Sequence, residues 1–309
     1  MVVGLGLLAV SAVMLIAGAE LFTENAAAAA RGLRITVFAA AFLLAGAEPE
    51  EMITAVIASG RHRPGLAAGD AIGANLTMLT LVLGLAALAR PLPFGGRVRG
   101  YAIWSALAGG LAALAVAGSI IGRWQGGLLV AAYLAGVAVL WWRERKPRAI
   151  GEVAEAGEED SGSRPAALGL VLALGGVALM AAGGWLAVGG AERVVAALRL
   201  TDSAVGLTLL ALATTAELFA LAWAAARRGV SEIAVAGVVG SVAYNATATL
   251  GVAALVRPLA AGGIVAPAIA AAALPIGLLM VTTGGWLNRR AGAVLVVGYG
   301  AWVTAVLVH

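Results

Sequence analysis

The chain alternates long apolar stretches with short polar breaks, and this pattern constrains its fold more than any other feature of the sequence. A helix needs roughly 20 apolar residues to cross the hydrocarbon core of a bilayer. Charged residues make up only 12% of the chain, against roughly 25% in soluble domains. We therefore expect an all-α polytopic protein, integral to the cell membrane. Its ten predicted spans are 2–24, 35–59, 66–89, 101–121, 125–142, 166–190, 202–226, 231–256, 260–284 and 291–308.

Several kinds of site are excluded by what the sequence lacks. There is no Cys, so disulfides, thiolate metal sites and Cys nucleophiles are absent. His62 and His309 are the only histidines, which excludes His-cluster metal sites and His-based triads. The basic residues stand singly or in pairs between apolar runs, which is typical of a membrane protein. We expect no cofactor and no nucleic-acid partner; the expected partner is the lipid bilayer.

The basic residues are divided unequally between the two predicted sides of the membrane. The loops after the odd-numbered spans carry fourteen Lys and Arg residues, and the other side carries six. Because positive charge favours the cytoplasm, this split places both termini outside. The polar segment 143–165 then becomes a cytoplasmic linker between a first half, 1–142, and a second half, 166–309.

The two halves contain the same landmarks in the same order. GAEPEEMITA at 46–55 corresponds to LATTAELFAL at 212–221, and GDAIGANLTM at 69–78 corresponds to AGVVGSVAYN at 236–245. Each half has five spans, and five is odd, so the second copy must enter the membrane in the opposite direction. The sequence predicts ten transmembrane helices arranged as two inverted five-helix repeats.

Four acidic residues lie well inside predicted spans: Glu48, Glu50, Glu51 and Glu217. An acidic residue at the centre of a membrane helix costs about 2.5–3.5 kcal/mol on insertion scales. No Lys or Arg lies inside a span to offset this cost. A bound cation, a bound proton or a water-filled cavity must do so, and each of these indicates an ion pathway. Asp70 is interpreted as a helix-start residue at the entry of the third span.

Helical spacing selects the candidate ligands. Glu51 and Glu217 are the central pair, and Glu48 and Thr214 lie three residues before them on the same faces. Pro49 has no N–H to donate and should break the second span, whereas the seventh span must break at Thr and small residues. Carboxylate, hydroxyl and amide oxygens suit hard cations such as Ca²⁺, Na⁺ or H⁺. Oxygens on the third and eighth spans complete the predicted site: Asn75, Ser241 and Asn245.

These two duplicated motifs resemble those of the calcium/cation antiporter superfamily, and within it the small prokaryotic sodium/calcium exchangers. GAEPEE at 46–51 and LATTAE at 212–217 are similar to the GTSLPE-like motif, and the segments at 69–78 and 236–245 to the GNxxGSNxFN-like motif. The resemblance implies that the two Ca²⁺-binding glutamates are Glu51 and Glu217. It also implies backbone carbonyl ligands at the two helix breaks, from Ala47 and Ala213.

The chain departs from the family pattern in its first half. Ala74 and Met78 stand where the motif has Ser and then Asn or Asp, while Glu48 and Glu50 add carboxylates. We expect a secondary-active antiporter, monomeric, that exchanges Ca²⁺ for Na⁺ or H⁺ by alternating access. A cation/proton exchanger that does not use Ca²⁺ is the alternative, because the extra carboxylates favour protons. An intramembrane enzyme and a channel are more distant alternatives; we expect no enzymatic activity, since no nucleophile or HExxH motif accompanies the glutamates.

Overall fold

A computed structural model describes residues 1–32, 48–144, 165–219, 222, 231–282 and 284–308. Ala47, a predicted carbonyl ligand, lies outside the described residues. So does most of the predicted linker 143–165 and the first part of the predicted second span.

The described residues form helices that we number α1 to α10. The first half contains α1 (Val2–Gly32), α2 (Pro49–Gly60), α3 (Pro64–Ala89), α4 (Gly96–Ala117) and α5 (Arg123–Glu144). The second half contains α6 (Ala166–Leu198), α7 (Asp202–Thr214), α8 (231–256), α9 (Val265–Val281) and α10 (Arg289–Val308). A short helical segment, 216–219, follows α7.

Three of these helices contain a five-residue π-helical segment. The segments are Met78–Val82 in α3, Gly206–Leu210 in α7 and Asn245–Thr249 in α8. The first and third begin at the last residue of the two copies of the second motif, so the repeat extends to local backbone geometry. Such widened turns are often found at functional sites.

The two expected helix breaks are present. Helix α2 begins at Pro49, and the preceding Glu48 has φ −109° and ψ 85°, which is not helical. Helix α7 ends at Thr214, and Thr215 has φ −78° and ψ 5°. Proline produces the first break because it has no N–H to donate. At the second, the Thr215 hydroxyl donates to the carbonyl oxygen of Ala211 at 2.7 Å, an alternative to regular helical bonding.

Helices α1 and α6 pack along each other through glycines. A Cβ added at Gly18 would lie 2.9 Å from the carbonyl oxygen of Gly176, and one added at Gly4 would lie 3.0 Å from that of Gly190. Residues later in α1 contact residues earlier in α6, so the two helices are antiparallel. Because α1 and α6 are the first helices of the two repeats, their opposite directions agree with an inverted repeat.

The inverted relation recurs at two other helix crossings. A Cβ at Gly251 of α8 would lie 2.8 Å from the carbonyl oxygen of Gly126 of α5, and one at Gly292 of α10 would lie 2.8 Å from that of Gly84 of α3. Each crossing joins the third helix of one repeat to the fifth helix of the other. Small residues allow this close approach, which replaces the hydrophobic driving force that is absent within lipid.

Two short antiparallel strand pairs also connect the halves. Strand β1 (Leu92–Pro93) pairs with β4 (Trp286–Leu287), and β2 (Ile120–Ile121) pairs with β3 (Leu259–Ala260). No strand was predicted from the sequence, because a pairing of only two residues leaves no periodic pattern to detect.

Burial separates central helices from peripheral ones. Buried residues make up 78% of the most apolar stretch of α3 and 83% of that of α8, but only 11% of that of α10. Six helices of the described residues are long and apolar enough to cross a membrane. Large apolar side chains such as Leu114 and Met280 are exposed on the outer surface, which is the surface that lipid would cover.

Helix α6 is longer than its predicted span, 166–190, and this corrects part of the loop assignment. Helix α6 continues to Leu198, so Glu192 and Arg193 lie within it and not in a loop. Near this end of the bundle, Glu192 forms ion pairs with Arg61 at 2.8 Å and with Arg63 at 3.4 Å, and Arg63 also pairs with Asp202 at 3.3 Å. The α2–α3 turn is thereby joined to α6 and α7.

Candidate functional site

The first part of the candidate site is the beginning of α2. The break at Glu48 and Pro49 places three carboxylates within one turn, and Glu48, Glu50 and Glu51 are all buried. Glu51 is 0% exposed, and within the described residues neither of its carboxylate oxygens has a hydrogen-bond partner. A fully buried carboxylate without a donor is costly, so this position requires a ligand of opposite charge or a proton.

A hydrogen bond between the repeats holds the Glu48 side chain. Asn245, at the start of the π-helical segment of α8, donates from Nδ2 to Oε2 of Glu48 at 3.1 Å. The amide oxygen of Asn245 accepts a hydrogen bond from the Thr249 hydroxyl at 2.9 Å. Two predicted site residues from opposite repeats are therefore in direct contact.

The end of α7 lies against α3 on the other side of the site. The Thr214 hydroxyl is within 3.2 Å of Oδ1 of Asp70 and of the carbonyl oxygens of Leu210 and Ala211. The interpretation of Asp70 as a helix-start residue is wrong. Helix α3 begins at Pro64, so Asp70 lies in its second turn, where it is 0% exposed.

The remaining predicted ligands are also buried near these breaks. Asn75 of α3 is 2% exposed, and its amide oxygen has no hydrogen-bond partner among the residues that the structure describes. Ser241 lies one turn before Asn245 on α8 and is 4% exposed. Ala213 is buried near the end of α7, and Glu217 is buried in the segment 216–219 just beyond the break.

The charged side chains identified at the site are all acidic. The carboxylates close enough to repel a negative charge on Glu51 are those of Asp70, Glu48 and Glu50. The sequence places no Lys or Arg between the ends of α2, α3, α7 or α8. Coulomb repulsion within a medium of low dielectric constant is strong, so these acids require cations or protons to remain together.

The arrangement indicates mixed oxygen coordination. Within the described residues, no group of three or more His, Asp or Glu side chains is close enough to enclose a metal ion. A cation bound between these helices would therefore need hydroxyl, amide and main-chain oxygens in addition to carboxylates. Hard cations accept such a set, and the helix breaks at Glu48 and Thr215 are the type of interruption that makes main-chain oxygens available.

Two buried polar residues of the site were not identified as candidates from the sequence. Asp70 is one, and Thr54, one turn after Glu50, is the other: Thr54 is 0% exposed, and its hydroxyl has no hydrogen-bond partner in the described part of the chain. A signal for Asp70 was present in the sequence, because proline favours the first turn of a helix. Starting the third helix at Pro64 places Asp70 in its second turn and not at its start. Thr54 carries no comparable signal.

Comparison with known proteins gives one family over nearly the whole chain. Residues 3–142 and 168–308 match the family described as sodium/calcium exchanger protein. A protein of Alkalimonas amylolytica named "Putative antiporter CaxA" is 27% identical over 301 residues, which cover 94% of each chain. The inner membrane protein YrbG of Escherichia coli is 29% identical over 224 residues, covering 69% of this chain and 67% of that protein.

Solved structures show the same fold. A structure of the sodium-calcium exchanger NCX_Mj soaked with Na⁺ and zero Ca²⁺ covers 98% of this chain and 99% of its own, with a TM-score of 0.65 and 22% identity. A structure of the same exchanger soaked with Na⁺ and Sr²⁺ has a TM-score of 0.63, 22% identity and 98% coverage of both chains. The prediction of ten membrane helices in two inverted five-helix repeats is confirmed.

Proposed function

This chain belongs to the sodium/calcium exchanger protein family, and on that basis we propose that it exchanges Ca²⁺ for Na⁺ or H⁺ across the cell membrane as a secondary-active antiporter. The observation that carries the proposal is Glu51, a fully buried carboxylate that lies among other acids and has no hydrogen-bond partner in the part of the chain that the structure describes. A soluble core would not retain such a group, whereas a transport site needs a charge that its cargo can neutralise. The relatives with stated functions are transporters, so the enzyme alternative has no support.

We propose that Glu51 and Glu217 are the principal cation ligands. Each stands beside a helix break, one in each repeat, and α2, which carries Glu51, contacts the end of α7, the helix that precedes Glu217. The side-chain oxygens of Glu48, Thr214, Asn75, Ser241 and Asn245 and the carbonyls of Ala47 and Ala213 would complete the coordination. Ca²⁺ prefers roughly six to eight oxygen ligands from several kinds of group, and this mixed set agrees with that preference.

Exchange follows from competition for these oxygens. A divalent cation neutralises two carboxylates, and Na⁺ ions or protons can neutralise the same pair. Occupancy by one kind of ion excludes the other, so the gradient of one drives movement of the other. Alternating access would come from movement of one part of the inverted repeat relative to the rest around a fixed midplane site.

A cation/proton exchanger that does not use Ca²⁺ is the second candidate. It is favoured by the fully buried apolar side chains of Ala74 and Met78 in the first repeat, where the second repeat has Ser241 and Asn245. Fewer neutral oxygens weaken a site for Na⁺, and the additional carboxylates Glu48 and Glu50 can bind protons.

Reconstituted wild-type protein distinguishes the two candidates. Proteoliposomes are loaded with Na⁺, with acid or with neither, and uptake of radiolabelled Ca²⁺ is measured together with internal pH. Gradient-driven Ca²⁺ uptake supports the proposed exchange, and the productive gradient identifies the coupling ion. Absence of Ca²⁺ uptake under every gradient, with pH changes driven by other cations, would support the second candidate.

We also propose that the chain acts as a monomer with both termini outside and the linker 143–165 in the cytoplasm, between the halves 1–142 and 166–309. The absence of Cys allows a direct test with introduced cysteines. Gly262 lies in the exposed loop before α9, and an added Cβ there meets nothing within 4 Å. A membrane-impermeant maleimide should label Gly262→Cys in intact cells, and Ala156→Cys only after permeabilisation. The reverse pattern would invert the proposed orientation.

A further inference from the structure

The polar face of α3 differs from the matching face of α8. Aligning GDAIGANLTM with AGVVGSVAYN sets Asp70 against Gly237, and Ala74 and Met78 against Ser241 and Asn245. Residues four apart share a helix face, so each set of three lies along one face. In α8 side-chain oxygens occupy the second and third of these positions, whereas in α3 only the first of them, Asp70, has side-chain oxygens.

The position of Asp70 is fixed by close packing against α7. A Cβ added at Gly69 would lie 3.1 Å from the Cα of Gly206, and one at Gly73 would lie 2.3 Å from the carbonyl oxygen of Leu207. Asp70 stands between these two contact points. Its Oδ1 lies 3.2 Å from the Thr214 hydroxyl, so the carboxylate lies beside a helix break that carries proposed ligands.

A purely structural role does not explain a charge at this position. The neutral amide of Asn could accept the same hydrogen bond from Thr214 without the cost of a buried charge. The other repeat folds with Gly237 at the matching position, so the helix packing does not require a side chain there. The second oxygen of Asp70, Oδ2, is buried and has no hydrogen-bond partner among the described residues. Both carboxylate oxygens of Glu51 are likewise buried without a hydrogen-bond partner among the described residues. The Glu51 carboxylate lies close enough to Asp70 for the two negative charges to repel each other.

We infer that Asp70 is a ligand for the transported divalent cation, and that Asp70, Glu51 and the Thr214 hydroxyl form an oxygen-lined position beside the one between Glu51 and Glu217. Two carboxylates neutralise one divalent ion, and the hydroxyl adds a neutral oxygen of the kind that Ca²⁺ accepts. Asp70 thereby replaces the oxygens that Ala74 and Met78 do not supply. The inference rests on the proposed Ca²⁺ exchange and adds a residue to its site.

Equilibrium binding of radiolabelled Ca²⁺ to the purified full-length protein, at fixed pH and without Na⁺, tests this inference. Asp70→Asn keeps the shape and the acceptor for Thr214 but removes the charge. We expect it to weaken Ca²⁺ binding by about tenfold or more, as loss of partners at metal sites does. The control is Asp202→Asn, the same change at a partly exposed carboxylate at the start of α7, which should bind Ca²⁺ like the wild type.

The outcomes separate the inference from the proposed function. Wild-type protein that binds no Ca²⁺ overturns the proposed Ca²⁺ exchange and the inference with it. Wild-type binding with unchanged affinity in Asp70→Asn overturns the inference alone. If Asp70→Asn does not purify as a folded protein, Asp70→Gly replaces it, because the other repeat has glycine, Gly237, at the matching position. The same loss of Ca²⁺ affinity is then expected, and unchanged affinity contradicts the inference.

Discussion

Asn245 of α8 donates a hydrogen bond to Glu48 at the break before α2, 3.1 Å away, and so joins the polar centres of the two repeats. Both ends of its side chain are used, since its amide oxygen accepts from Thr249. An amide held at both ends can fix a carboxylate in one orientation. The Glu48 side chain is therefore positioned by the opposite half of the chain.

Replacing Asn245 by Ala should impair both stability and cation binding. A buried carboxylate oxygen loses its donor, at a cost of about 1–3 kcal/mol, and Ca²⁺ affinity should fall about tenfold because the ligand is no longer held. Thermal unfolding and Ca²⁺ binding in detergent measure the two effects. The control is Asn288→Ala, which removes the acceptor for the Ala291 N–H at the start of α10, 2.9 Å away, far along the chain from the site. Equal Ca²⁺ affinity in the two variants would contradict the assigned role of Asn245.

Adjacent glycines of α5 provide a matched test of the helix packing. A Cβ at Gly126 would lie 2.7 Å from the carbonyl oxygen of Gly251, whereas one at Gly127 meets nothing within 4 Å. Gly126→Ala should destabilise the protein by about 1–3 kcal/mol, since α5 and α8 must separate. Gly127→Ala should leave stability unchanged or raise it by up to about 1 kcal/mol, because alanine favours helix. Similar unfolding temperatures for the two variants would show that this crossing is looser than described.

Protons should compete with Ca²⁺ at the site. A protonated carboxyl carries no negative charge, so Ca²⁺ affinity should fall as the pH is lowered and rise as it is raised. Glu51→Gln should flatten this dependence, because one competing group has been removed, while Asp202→Asn should retain it. Ca²⁺ binding measured over a series of pH values checks the sign. Affinity that is independent of pH in the wild type would exclude competition at shared oxygens.

The ten membrane helices and the helix breaks were predictable because strong local signals encode them. Apolar length gives the spans, and Pro49 gives the first break, where helix α2 begins. The second break was expected at Thr and small residues and occurs at Thr215. The internal repeat gave the pairing of motifs, and so the candidate ligands, without any knowledge of the packing.

What the sequence did not reveal depends on contacts between distant segments. Asp70 was assigned to a helix start because hydropathy locates span ends only approximately, and its contact with Thr214 exists only once α3 and α7 pack. The π-helical segments and the paired strands likewise have no periodic signature. Helix α6 was predicted too short because Glu192 and Arg193 look like loop residues, although an ion pair with Arg61 accommodates Glu192 within the helix.

Ca²⁺ uptake into proteoliposomes by Glu51→Gln and Glu217→Gln is the most direct test of whether these two glutamates form the transport site. Each change preserves side-chain size and removes one negative charge from one repeat. We expect both variants to insert, fold and bind lipid like the wild type but to lose gradient-driven Ca²⁺ uptake. The control Glu192→Gln, near the end of α6, should retain this uptake. Wild-type rates in both Glu51→Gln and Glu217→Gln would contradict the assignment of these glutamates to the transport site.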